Sequence, residues 1–226
     1  MKNILPAILL LSICIACSNK GKKEIEKKVA EIDSMAINKQ LAQMVKSDQA
    51  IQFAHTPDES EKVRDSLYKA QDRIFKANTD TIKRMFETYG FLGIDKVGKQ
   101  ASHDFWLLVQ HADHDIEFQE KVLNEMIHEV KNNNADASNY AYLMDRVLKN
   151  KGKKQLYGTQ VKYIDDFWII PQPLQDSVNV NKRRKEVGLS PLEEYLNGMM
   201  ELHYQMNMAI YEQNGLQGPR EYQLKD

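Results

Sequence analysis

Thiols are nearly absent from this chain: among 226 residues only Cys14 and Cys17 carry one. Both lie close to the N-terminus, so the body of the protein forms no disulfide and offers no cysteine nucleophile. Proline occurs six times and glycine ten times, which excludes collagen-like and Pro/Gly-rich low-complexity architectures. A net charge of −1 leaves no basic excess. Nucleic acid is therefore not expected as a partner, because phosphate-binding proteins usually show one. There is no Gly-rich phosphate loop, no Gly-x-Ser-x-Gly elbow and no His-Glu-x-x-His pair. The commonest signatures of nucleotide binding, serine hydrolysis and zinc proteolysis are thus missing, and no cofactor is assigned.

Long apolar runs are also scarce. The longest, Ile4 to Ala16, follows the short positive start Met1-Lys2-Asn3. A helix needs about 20 apolar residues to cross a bilayer, and this run is shorter. A short apolar run behind a positive start, ending in a small residue, reads as an export signal. Ala16-Cys17 supplies the small residue and the thiol that lipoprotein processing uses, although Cys14 stands where a leucine is usual. The expectation is cleavage before Cys17, acylation of that cysteine, and anchoring to a membrane of the cell envelope. Residues 1–16 are then signal peptide and 17–23 a lipidated, lysine-containing tether.

What remains is a chain with 42% hydrophobic and 28% charged residues, enough for one domain with a core and a solvated surface. The expected fold is mostly α, a multi-helix domain with one small β-hairpin. Residues 24–54 read as an N-terminal helix, 55–206 as the helical domain, and 207–226 as a loose tail. Within the domain, Thr56-Pro57-Asp58-Glu59 and Ser190-Pro191-Leu192-Glu193 look like capping boxes that open helices. Gly90 suits a helix C-terminus, and a loop is expected over 91–98. Helices are expected over Lys99–Gln110, from about Asp115, and over about Ala137–Asn150. Tyr157 to Tyr163 alternates in the manner of a strand, and Asp165-Asp166 turns it into Phe167–Ile170. The hairpin is thus placed near 156–170.

Polar clusters nominate the site. His111, Asp113, His114 and Asp115 lie between two apolar runs. On a helix, His111 and Asp115 would share a face able to hold a metal; capping of the next helix by Asp115 is the stronger reading, and no metal is assigned. His111 is the candidate acid–base group, since imidazole titrates near neutrality, with Asp113 to orient it. Asp145 and Arg146 are helical neighbours that must pair with different groups. Asp145, Arg146, Gln155, Tyr157 and Gln160, with Arg184 beyond them, are candidate ligand contacts, and Gly158 permits close approach of another backbone or a ligand.

These same residues carry a resemblance. Gln110-His111-Ala112-Asp113 with Asp115 and Gln119, Ala141-Tyr142-Leu143 with Asp145-Arg146, Gln155 with Tyr157-Gly158-Thr159-Gln160, and Arg183-Arg184 through Glu194-Tyr195 resemble the domain-of-unknown-function family numbered 6624. Asp48-Gln49 extends the likeness towards the N-terminus. The resemblance implies no activity. Two readings stand: a binding module that presents a polar pocket to an envelope ligand or protein, and an envelope hydrolase. In the second, His111 is the base, Asp113 orients it, and Gln160 and Arg184 hold substrate.

Overall fold

The structure is a computed structural model that describes residues 33–56, 59–164 and 167–224. The expected signal peptide, Cys17 and the first part of the N-terminal helix lie outside the described residues. From Ser34 onward the chain forms one compact unit, mostly helical with a single antiparallel hairpin among the described residues. No helix among them is long and apolar enough to cross a membrane.

The first half is built from α1 (Ser34–Gln52), α2 (Glu61–Tyr89), α3 (Ile94–Gln110), α4 (Ile116–Lys131) and α5 (Ala137–Asn150). α1 packs on both α2 and α3, and α4 packs on α5. Helical spacing of apolar residues gives each element one inward stripe. Ile37 and Leu41 of α1, Ile82 and Met85 of α2, Phe105 and Leu108 of α3, and Phe118 and Val122 of α4 are all buried. Phe86 and Phe91 meet the Phe105 ring, and Phe86 also stands edge-on to Phe118.

The second half holds β1 (Val161–Ile164) and β2 (Trp168–Pro171), then α6 (Val180–Glu186), α7 (Leu192–Met206) and α8 (Met208–Gln213). Val161 pairs with Pro171 and Ile164 with Trp168. Ile169, Val180, Leu192, Leu196 and Met200 form its small core.

Local expectations fail at four places, each for a physical reason. α2 starts at Glu61, after Ser60, whose hydroxyl accepts from Val63 N–H; Glu59 bonds back to Thr56 N–H but lies before the helix, and Pro57-Asp58 lie outside the described residues. The 91–98 loop is shorter than expected, since α3 already begins at Ile94 and Gly98 is a kink inside it at φ 79° and ψ 167°. α7 gains its cap from another helix: Asn181 of α6 accepts from Leu192 N–H and donates to Glu193, so Ser190 is not used. The described residues after 206 are tied to the fold. They form α8, and Tyr222 then stacks on Trp168 at 4.5 Å and donates to the Ile169 carbonyl.

Candidate functional site

The hairpin expectation needs the largest correction. Only Val161–Ile164 forms the first strand. Leu156 to Thr159 is a loop wrapped around one buried carboxylate, so Tyr157, Thr159 and Gln160 do not alternate across a sheet. Asp145, fully buried on α5, accepts from the backbone N–H of Leu156 (2.7 Å), Tyr157 (3.1 Å) and Thr159 (2.9 Å), and from the Thr159 hydroxyl (3.0 Å). Burial pushes the Asp145 carboxyl above its ordinary value, and these four donors offset that only in part.

Cations take the carbonyl side of the same loop. Arg183 donates to Leu156 O at 2.8 Å. Arg184, which is 1% exposed, donates to Tyr157 O at 2.7 Å and to Ser190 O at 2.6 Å, over the Tyr195 ring at 5.0 Å. Gln155 closes the loop: its amide donates to Gln160 O and Gln172 O and accepts from Gln160 N–H. Gly158 sits at φ 73°, and a Cβ there would lie 2.8 Å from the Leu192 side chain. The close approach that glycine permits is therefore used by the core and leaves no space for a ligand. Asp145, Gln155, Tyr157, Gln160 and Arg184, all candidate ligand contacts by sequence, are brought together by the structure, but around each other. The peptide dipoles of one loop have an anion on their N–H side and two guanidinium groups on their C=O side. Gln160 and Arg184 bond within or beside this loop, Gln160 Nε2 to the Thr159 hydroxyl and Arg184 to two backbone carbonyls.

His111 occupies a different corner. It caps α3, and the chain turns through 111–115 into α4. The expected orienting partner, Asp113, faces elsewhere: Arg146 donates to it twice, at 2.8 and 2.7 Å, and Asn150 once at 2.7 Å. Burial alone would raise the Asp113 carboxyl, but the Arg146 guanidinium outweighs it and holds the group below the ordinary range. Asp115 caps α4 by accepting from Phe118 N–H, and its other oxygen meets Lys83 at 2.5 Å. His111 and Asp115 thus turn to separate partners, since they lie in a turn rather than on one helical face.

The residue that orients His111 is Asp48 of α1. Its carboxylate, 0% exposed, accepts from His111 Nδ1 at 2.8 and 2.9 Å, and Gln49 Nε2 donates to it at 2.9 Å. The far nitrogen, Nε2, lies 3.4 Å from Gln52 Nε2. Gln52 Oε1 accepts from Gln71 Nε2 at 3.0 Å. Phe75 stacks on the imidazole, centroid to centroid 4.9 Å and 17° from parallel. Every hydrogen bond in this chain points the same way, from Gln71 through Gln52 and His111 to Asp48. In the neutral ring this arrangement puts the proton on Nδ1 and the lone pair on Nε2. The side chain of His111 is 12% exposed.

Asp48, Gln52, Gln71 and Phe75 were not selected by sequence reasoning as site residues. A signal existed for Asp48. It continues the buried stripe of Ile37 and Leu41 on α1, where an aspartate has no place without a partner. For Gln52 and Gln71 no local signal exists, because α1 and α2 meet only in three dimensions.

No group of three or more His, Cys, Asp or Glu side chains suited to a metal ion occurs among the described residues. No curated protein and no solved structure matches the chain. A family model does, over residues 35–208, and its description is a family of unknown function, DUF6624. That span takes in the Asp48–His111 pair, the Asp145 loop and both arginines, and the chain belongs to this family.

Proposed function

We propose that this protein is a lipoprotein of the cell envelope, tethered through Cys17, whose helical body binds a ligand or partner protein at the His111 corner. The observation that carries the binding reading is the directional chain Gln71–Gln52–His111–Asp48. It holds an imidazole in one orientation at the edge of the core, with the Gln52 amide against its far nitrogen. The other polar motif residues are consumed by internal clamping, which leaves this corner as the prepared polar surface. The tether reading rests on the short apolar run and Ala16-Cys17.

Two measurements test the two parts separately. Mass spectrometry of the mature protein from its native host is expected to show an acylated Cys17 as first residue; an intact Met1 or an unmodified Cys17 ends the tether reading. Cross-linking of intact cells should capture one envelope component with the natural chain and lose it with His111→Gln. An unchanged capture profile ends the binding reading.

The Asp48–His111 pair also favours a second reading, in which a buried carboxylate orients a general base. Asp48 then takes the role that sequence reasoning gave to Asp113. Gln52 covers the Nε2 lone pair, so its amide must swing aside before a proton is taken. Turnover of an envelope substrate that Asp48→Asn and His111→Gln both abolish, with the fold unchanged, would establish this reading over simple binding.

A further inference from the structure

A second polar site lies at the kink of α3, far from the His111 corner on the same helix. His103 precedes His111 by eight positions, or about 12 Å at the rise of an α-helix. Here Gly98 interrupts α3, and the turn between α4 and α5 comes alongside. Asn133, at φ 57°, ends α4 in the left-handed conformation, and Asp136 caps α5 by accepting from the N–H groups of Ser138 and Asn139. Between them is a cleft of about 530 Å³, lined among others by Lys99, Gln100, His103, Asn133, Asp136 and Asn139.

The polar part of the lining is held in place from behind. Asn139 Nδ2 donates to His103 Nδ1 at 3.2 Å. In the neutral ring the proton then sits on Nε2, which becomes a donor. Trp106 fixes both residues: its indole N–H donates to the Asn139 carbonyl at 2.8 Å, and its ring lies 5.0 Å from the His103 ring. One oxygen of Asp136 takes the capping bonds, and the Gln100 amide nitrogen donates to Asp104. The groups left for a ligand are donors on Lys99, His103 and Asn133, and acceptors on the second Asp136 oxygen, the Asn139 amide oxygen and the Gln100 amide oxygen.

Donors and acceptors therefore alternate round one small cleft whose volume falls within the roughly 300–1,000 Å³ of ligand sites. Ile94 and Ala135 complete the lining, so the polar groups are set beside an apolar part of the wall, against which the C–H face of a sugar ring can lie. Hydroxyl groups suit such a lining, because each both donates and accepts. A simple anion suits it less well, since Asp136 stands on one wall. A chain of apolar side chains would leave every one of these groups unpaired. From this we infer that the cleft is a saccharide-binding site, taking one or two sugar units of a hydroxyl-rich glycan. It is separate from the His111 corner and does not depend on the reading of that corner.

The test uses the folded chain labelled with ¹⁵N and carrying Trp168→Phe, so that the Trp106 indole gives the sole tryptophan side-chain signal. Chitotriose, cellotriose and maltotriose are titrated to tens of millimolar. The expected result is a saturable shift of the Trp106 cross-peak with at least one of them. Affinity should fall at least tenfold in Asn139→Ala and in His103→Ala, and stay unchanged in His111→Gln. Lys99→Ala, on an exposed side chain, supplies a variant with little risk to the fold and should weaken binding several-fold. No shift with any of the three sugars, or a shift that all three cleft variants leave undiminished, overturns the proposal.

Discussion

Two fully buried aspartates, Asp48 and Asp145, are satisfied in opposite ways. Asp145 is held by backbone N–H groups of a loop that has no other means of hiding them. Asp48 is held by the imidazole of His111, whose other nitrogen meets the Gln52 amide. An anion surrounded by peptide groups is part of the architecture: removing it orphans the backbone. An anion facing an imidazole sets a tautomer, and a tautomer is a chemical property that a ligand can read. The same residue type therefore builds the fold in one place and prepares a surface in the other.

The largest effect should come from breaking the Asp145 loop. Asp145→Ala leaves three backbone N–H groups buried without acceptors, at about 1–3 kcal/mol each in the absence of relaxation. The expected loss is about 4 kcal/mol in urea denaturation, with the hairpin and α6 losing hydrogen-exchange protection first. A loss below about 1 kcal/mol would show that the loop finds other acceptors and that the contrast with Asp48 is false.

His111→Ala should cost less, about 3 kcal/mol, because it strands the buried Asp48 carboxylate. Asp48→Asn should cost about 2 kcal/mol and, more tellingly, release the tautomer. Nitrogen NMR of the His111 ring should show the proton on Nδ1 in the natural chain and a mixture in the variant. An Nε2-protonated ring in the natural chain would contradict the directional network.

The smallest effect belongs to the exposed Asp113–Arg146 pair, worth about 1 kcal/mol even in its two-bond geometry. Its sign with pH is definite. Asp113 is held below its ordinary value, so its contribution is present above that ordinary value and disappears as the pH falls through the lowered one. Asp113→Asn should flatten this acid limb of the stability curve and lower neutral stability by about 1 kcal/mol, with the two chains converging at low pH. Asp145 runs the other way: burial raises it, so charging the group works against the fold as pH rises through its raised value.

Much of the helical half was legible in the sequence. The end of α2 and the start of α4 follow from Gly90 and Asp115, since caps act within one turn of chain. The candidate residues in the YGTQ stretch and the arginine pair were legible as a group, but their role was not. Alternation of Tyr157 and Thr159 imitates a strand, whereas the buried charge of Asp145 bends the segment into a loop. Propensity is worth tenths of a kilocalorie per residue, and a buried carboxylate with several charge-assisted bonds outweighs it.

By itself the sequence determined the helical class, most helix termini, the absence of thiols from the body and the polar residues that had to find partners. Those are properties of composition and of contacts a few residues apart. Only the tertiary structure decided which partner each polar group took. Asp48 and His111 are separated by 63 positions, and Asp113 lies two positions from His111 yet faces Arg146. Proximity along the chain does not choose between them, because burial sets the cost of an unpaired charge, and burial exists only once the helices have packed.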